Sequence, residues 1–329
     1  SSKVIIAKIV TVTDDLAQCY HDAMQALADI LQKLQRHATT HHIFKELIHN
    51  DDGFEVDLSD EEYANIVNKA KAFIRNGDIF QVVSSRTFKK KYHGDTFTIY
   101  HALKNISPSP YHFYIRNDDM AIVGASPEKI VSLHNNVIES TPLAGTRPRG
   151  HNGNDDASIA TELLHDEKEI AEHMMLVDLA RNDIGAVAQA GTVKMTEEPN
   201  VVNFSHVMHI ASTVQGTLAE KHDALDVLKA NFPAGTLSGA PKIRAMEIID
   251  TLENSRRGIY GGAIIALDRA DNLDTCIAIR TAMIKNGVAQ VRAGSGIVHD
   301  SDPFAEAQET RHKARSVMTA IETAAGATP

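Results

Sequence analysis

Apolar residues change their period several times along this chain, and the changes mark its elements. Residues 4–12 alternate and are rich in β-branched side chains, which predicts a strand. Leu16, Met24, Leu27, Ile30, Leu31 and Leu34 recur at helical spacing, so residues 14–35 are expected to form a helix. Residues 37–53 are polar and carry His37, His41, His42 and His49. That segment reads as a linker or exposed loop, since no carboxylate or cysteine completes a metal-ligand spacing. Ser59 with Glu62 three residues on is a capping box, and the helix it opens ends at Gly77.

Short strands are then expected at 79–83, 111–115, 120–124, 130–133 and 137–140, with Asn135-Asn136 as a tight turn between the last two. Residues 156–182 read as helical, followed by short strands at 187–190 and 192–197. Helices at 223–230 and 238–251 flank a Pro/Gly-rich run over 232–241. Residues 259–268, 273–284 and 288–296 read as a three-strand meander, and Asp302-Pro303 opens a last helix to about residue 324. Neighbouring short strands with segregated helices predict an α+β fold. There is no internal repeat.

Composition narrows the class. With 43% hydrophobic and 23% charged residues, the 329-residue chain has the balance of a soluble globular protein. A net charge of −10 argues against nucleic acid as a partner. It also means that an anionic substrate must be met by local cations. Cys19 and Cys276 are the only thiols, so a disulfide framework is not expected and a reducing cytoplasm is. No apolar run reaches the roughly 20 residues that span a bilayer, so no membrane partner is expected. The opening residues lack a signal-peptide pattern and an initiating Met.

Several constellations can carry chemistry. Glu169/Glu172 and Glu306/Glu309 are two i,i+3 carboxylate pairs on predicted helices. Like charges on one helix face repel, and hard carboxylate oxygens are what Mg²⁺ prefers. Lys313 shares the face of Glu306 and Glu309, just downstream of Gly294-Ser-Gly296, where glycines let backbone N–H groups approach an anion. The plainer reading is a solvated helix face beside a glycine hairpin. Arg280 lies in an otherwise apolar run and must either hold an ion-pair partner or face a cavity. Residues 145–150, Gly-Thr-Arg-Pro-Arg-Gly, form a glycine-bounded basic loop, either an anion-binding turn or an ordinary connection. His209 among apolar neighbours is either a core histidine or, in a cavity, a general acid or base.

The motifs together resemble the chorismate-utilising enzymes, and within them the large subunits (component I) of anthranilate synthases. They are Ser126-Pro-Glu128, Pro142 through Gly150, Asp166 through His173, Leu176 through Asp183, Pro233 through Lys242, Gly258 through Gly262, Ala293 through Val298 and Glu309 through Lys313. They run in order over 59–321. The resemblance implies an α/β sandwich of two large, mainly antiparallel sheets with outer helices and the site between them. It implies a Mg²⁺ held by Glu172 and Glu309, with Glu169 and Glu306 in support. Chorismate would be bound by Tyr260, Arg280, Lys313 and the Gly294 and Gly296 amides, with Gly145, Thr146 and Thr236 lining the ring. His209 would be the acid–base group and Glu128 the acid for the departing hydroxyl.

Two positions select the branch. The water-adding relatives carry a lysine where this chain has Gln81, which cannot deprotonate water, so ammonia is the implied nucleophile. Aminodeoxychorismate synthases commonly carry a nucleophilic lysine where this chain has Ala144. The implied activity is Mg²⁺-dependent conversion of chorismate and ammonia to anthranilate and pyruvate. The alternatives are an aminodeoxyisochorismate synthase that stops before pyruvate loss, or a non-catalytic truncated protein that binds chorismate or Mg²⁺. The family's large subunits are usually longer, with an N-terminal tryptophan-feedback region carrying Leu-Leu-Glu-Ser. That motif is not found here, so 1–58 is expected to be a remnant of that region and 59–329 the catalytic domain. A separate glutamine amidotransferase subunit, component II, is the implied source of ammonia.

Overall fold

The computed structural model describes residues 8, 11, 15–36, 53–150, 153–203 and 207–326. The chain divides into two units, residues 1–44 with 327–329, and residues 45–326. In the first, helix α1 (Leu16–Arg36) is amphipathic as its spacing predicts, with Gln18–Asp22 and Gln25–Asp29 hydrogen bonds one turn apart on its polar side. The strand expected at 4–12 and the histidine-bearing segment 37–53 lie almost wholly outside the described residues.

The second unit begins with β1 (Glu55–Val56), α2 (Asp60–Arg75), β2 (Gln81–Lys91), α3 (Thr96–Ile106), β3 (Tyr111–Asn117) and β4 (Met120–Ser126). It continues through β5 (Lys129–His134), β6 (Val137–Ser140), β7 (Leu143–Pro148), α4 (Gly153–His165), α5 (Glu167–Gly185), β8 (Lys194–Asn203) and β9 (Val207–Thr217). Then come α6 (Ala224–Asn231), α7 (Gly235–Ser238), β10 (Gly239–Ala240) and α8 (Lys242–Leu252). The last elements are β11 (Ala263–Leu267), β12 (Leu273–Ile277), β13 (Thr281–Lys285), β14 (Val288–Ile297) and α9 (Pro303–Ala325).

Among the described residues the strands form two seven-stranded sheets, one in the order β1-β2-β14-β13-β4-β3 with β10 on β2, the other β11-β12-β5-β6-β9-β7 with β8 on β9. The pairings are antiparallel, as short connections between neighbouring strands require. The α+β class and the two-sheet sandwich therefore hold. Helices α2, α8 and α9 cover the first sheet through a core that includes Tyr63, Val67, Val82, Ile248 and Ile297. Helices α5 and α6 cover the second through Val131, Ile138, Val177, Ile184, Val214 and Val227.

Local signals explain the boundaries. Ser59 and Glu62 form the reciprocal cap of α2. Asp302 caps α9 with Pro303 following it. Asn135 and Asn136 both take positive φ, 50° and 65°, in the β5–β6 hairpin turn. The helical stretch at 156–182 is two helices, because Asp166 leaves the helix and accepts from the Lys168 and Glu169 amides to start α5. The helix expected from 238 starts at Lys242, after the single turn α7 and the two residues of β10. The strand expected at 187–190 is one isolated bridge, Ala188 to Leu218. Helix α3 gives little helical signal, because Thr96, Thr98 and Ile99 are β-branched.

The meander is the consequential correction. Residues 273–284 are not one strand. β12 belongs to the second sheet and β13 to the first, and residues 278–280 carry the chain between them. Arg280 sits at this crossing with φ of 49°, a left-handed conformation that interrupts strand geometry.

Candidate active site

A cavity of about 250 Å³ opens between the sheets. The first sheet contributes Val83, Arg292, Ala293 and Gly294, and the second contributes Leu143, Ala144 and His209. Connections supply Pro127, Glu128, Tyr260, Ile279 and Arg280, α7 supplies Thr236 and Leu237, and α9 supplies Glu309 and Lys313. Glu128, His209, Thr236, Tyr260, Arg280, Gly294, Glu309 and Lys313, far apart in sequence, thus line one cavity.

Glu128 lies in the turn between β4 and β5, and its Oε1 accepts a 2.6 Å hydrogen bond from the Thr236 hydroxyl. Burial pushes its pKa up, against the opposing pull of that bond and of the Lys313 charge. It is therefore a carboxyl group disposed to hold a proton. His209 is on β9, and its Nδ1 is 2.9 Å from the Gly145 carbonyl. A carbonyl only accepts, so Nδ1 carries the proton and Nε2 the lone pair in the neutral ring. Burial lowers the pKa, with the Arg280 and Lys313 charges adding to the effect and the Gly145 bond opposing it. Gly145 has φ of 59° at a register shift between β7 and β9, which turns its carbonyl toward His209. It supports the histidine and does not line the cavity. Thr146 pairs with His209 across the strands.

The Arg280 side chain makes no hydrogen bond or ion pair with another described residue, and burial depresses its pKa against the opposing charge of Glu309. A buried guanidinium without a partner is costly. Tyr260 is 8% exposed, and burial raises its pKa, so its hydroxyl remains a donor. That hydroxyl occupies the space beside Gly294, 2.8 Å from where a Cβ would stand. Lys313 also lines the cavity and pairs with Glu309 at 2.7 Å.

Gln81 and Gly296 form a separate contact. The Gln81 amide fills the space over Gly296, 2.7 Å from a Cβ position, and neither residue lines the cavity. Gln81 Oε1 is buried without a partner among the described residues.

The four glutamates sit on α5 and α9, with Glu172 within electrostatic reach of the other three. Glu172 has its pKa raised by burial and by the charges of Glu169, Glu306 and Glu309, with Lys168 opposing. Burial and Glu309 raise Glu306, whose Oε2 is buried without a partner among the described residues. Glu169 is held by Arg147 at 2.9 Å and Glu309 by Lys313. Among the described residues no three acidic, histidine or cysteine side chains are gathered as a finished metal cage. The donor chemistry nevertheless fits a hard divalent cation: mutually repelling carboxylates, one with an orphaned buried oxygen.

Arg292 and Glu253 were not flagged by the sequence. Arg292 interrupts an apolar strand just as Arg280 interrupts its own run, so the same signal pointed to it. Glu253, at the end of α8, has nothing in its local sequence to mark it.

The family model for chorismate binding enzymes matches residues 4–319. The chain belongs to that family. This chorismate binding enzyme is 47% identical over 308 residues to anthranilate synthase component 1 of Aquifex aeolicus, covering 93% of this chain and 62% of that one. It is 50% identical over 267 residues to anthranilate synthase component 1 of Acetivibrio thermocellus, covering 81% and 54%. The chain thus spans roughly half to two-thirds of the length of the curated relatives it matches. Among solved structures, anthranilate synthase component I from Streptococcus pneumoniae superposes with a TM-score of 0.82 at 40% identity, covering 91% of this chain and 66% of that one. The Escherichia coli menaquinone-specific isochorismate synthase MenF shares the fold, with a TM-score of 0.78 at 24% identity.

Proposed function

We propose that this chorismate binding enzyme is the catalytic large subunit of an anthranilate synthase, with residues 59–329 as its catalytic region. The observation that carries the reading is the pair formed by Arg280 and Tyr260. Both offer cavity donors that no described residue takes, and a carboxylate matches a guanidinium fork beside a hydroxyl. The enolpyruvyl carboxylate of chorismate is assigned there, against the Gly294 amide, and Lys313 adds positive charge.

Glu128 then faces the ring hydroxyl. Hydroxide leaves poorly, so a carboxyl group that retains its proton is suited to release it as water. Ammonia forms the new bond at ring C2 as the C4–O bond breaks. His209 next takes the C2 proton on Nε2 as the ring C3–O bond breaks and the ring becomes aromatic, and the released enolpyruvate takes up a proton to become pyruvate. Chorismate and ammonia thereby give anthranilate, pyruvate and water. Gln81 lies off the cavity lining and carries no basic group to activate water, and Ala144 offers the cavity no nucleophile, which is compatible with ammonia as the reactant.

Glu172 and Glu309 would hold Mg²⁺, with Glu169 and Glu306 beside them. When bound, the ion would supply Lewis-acid polarisation of the ring carboxylate. Ammonia would come from a glutamine amidotransferase partner. Among the described residues no helix is long and apolar enough to cross a membrane, and Cys19 and Cys276 are free thiols, which supports a cytoplasmic setting.

The test mixes the protein with chorismate, Mg²⁺ and an ammonium salt and follows anthranilate fluorescence. Turnover that requires both additions is expected. No product at any ammonium concentration overturns the reading. A non-aromatic amino product points to the enzyme that stops before pyruvate loss.

A further inference from the structure

Behind the Tyr260 side of the cavity lies a cluster of two arginines around one carboxylate. The Glu253 side chain is 4% exposed and accepts from Arg292 at 2.8 Å and from Arg257 at 2.7 and 3.0 Å. It also accepts from the Ser85 amide at 2.9 Å and the Ser85 hydroxyl at 2.8 Å. Arg257 donates further to the Leu237 and Val83 carbonyls, both at 2.6 Å, and its guanidinium lies 5.6 Å from the Tyr260 ring centre. Arg292 lines the cavity and contacts Ser85, Ser255 and the Arg256 carbonyl at 2.8–3.0 Å.

The contrast with Arg280 is informative. Both arginines reach the cavity wall. No described residue takes the Arg280 side-chain donors, whereas Arg292 spends its donors on the protein. Glu253 is the only carboxylate bonded to Arg292 among the described residues. A guanidinium released at this wall would be a second, misplaced receptor for an anionic substrate. The trio carries a net charge of about +1 with Glu253 ionised and about +2 without it.

We propose that Glu253 is a positioning residue: it holds Arg292 and Arg257 against the wall so that the substrate carboxylate meets Arg280 and Tyr260 and not Arg292. The inference rests on the proposed reaction. It predicts a fault of alignment more than of affinity, because the released arginine still attracts carboxylate.

The test compares E253Q with the double variant E253Q/R292M. E253Q keeps the side-chain shape and should lose at least tenfold in kcat while KM for chorismate changes less than threefold. Its inhibition constant for pyruvate should fall at least threefold. The double variant restores the charge of the trio and should regain at least threefold of the lost kcat. If the double variant is as slow as E253Q, or slower, the proposal is overturned. The same holds if E253Q acts only through KM, or binds pyruvate no more tightly. Circular dichroism melting checks that each variant folds. Should E253Q alone fail to fold, a folded double variant with kcat within tenfold of wild type supports the proposal, and one below that overturns it. Wild-type protein assayed in parallel separates the two readings. Without wild-type turnover the proposed reaction fails, while calorimetric pyruvate binding to wild type and E253Q still tests whether Glu253 restrains Arg292.

Discussion

The Thr236 hydroxyl donates a 2.6 Å hydrogen bond to Glu128, joining the first turn of α7 to the β4–β5 connection inside the cavity. That bond is the main force opposing the burial that raises the Glu128 pKa. Activity that needs protonated Glu128 should decline as pH rises through this elevated pKa. Thr236→Val removes a bond that favours the carboxylate, so the alkaline limb of the kcat profile should move to higher pH. A shift to lower pH contradicts the assignment.

Glu128 also trades stability for function. A carboxyl group whose folded pKa exceeds its unfolded value contributes stability at low pH and loses it as pH rises through the folded pKa. Glu128→Gln should therefore reduce kcat by about 100-fold or more, the usual worth of a general acid. It should also resist denaturant better than wild type at pH 8, with the advantage shrinking toward pH 4. Urea midpoints at the two pH values measure this, and an advantage that grows toward acid refutes it.

Gly294→Ala would place a methyl group 2.4 Å from the Ser84 carbonyl and 2.8 Å from the Tyr260 hydroxyl. The backbone oxygen cannot swing away, so the strand must shift or Tyr260 must leave. KM for chorismate should rise about tenfold, which corresponds to ~1.4 kcal/mol of binding. Steady-state kinetics decides, and an unchanged KM removes Gly294 and Tyr260 from the carboxylate pocket.

For the four glutamates, added Mg²⁺ should raise the melting temperature of the wild type by mass action on the folded state. Glu172→Gln relieves a carboxylate strained by burial and by Glu169, Glu306 and Glu309, so without Mg²⁺ it should melt above wild type. With saturating Mg²⁺ the order should reverse, and Mg²⁺-dependent turnover should be lost. A full Mg²⁺ response in this variant shows that the ion binds elsewhere.

Arg86 anchors α9 to the first sheet. Its side chain is fully buried and bonds Asp60 at 2.7 Å, Thr310 at 2.8 Å and the Ala307 carbonyl at 2.7 Å. Asp60→Ala leaves this buried cation without a carboxylate, although it keeps its bonds to Thr310 and to the Leu58 and Ala307 carbonyls, so stability should fall by about 1–3 kcal/mol. Chemical denaturation measures it, and a loss below about 1 kcal/mol shows that Arg86 is not held through Asp60.

Much of the architecture was legible in the chain. The Ser59–Glu62 box, the Asn135-Asn136 turn and the Asp302-Pro303 start are local devices whose geometry depends on a few neighbouring residues. The strands at 111–115, 120–124 and 137–140 were also legible, because short runs of aromatic and β-branched residues between Asn/Asp turns favour extended chain. The crossing at Arg280 was not. An apolar run reads the same whether it stays in one sheet or passes to another, and only pairing partners distinguish the cases.

The candidate site divides along the same line. Residue type and motif order were enough to nominate Glu128, His209, Tyr260, Arg280, Gly294 and Lys313, because the chemistry of each side chain is its own. Tertiary structure alone decided that they share a cavity, that Gly145 serves His209, and that Gln81 covers Gly296. It also decided that, among the described residues, the Arg280 side chain has no partner while Arg292 is bound to Glu253. The reason is physical: whether a charge is satisfied depends on which distant backbone turns toward it, and that is settled by two sheets closing on each other.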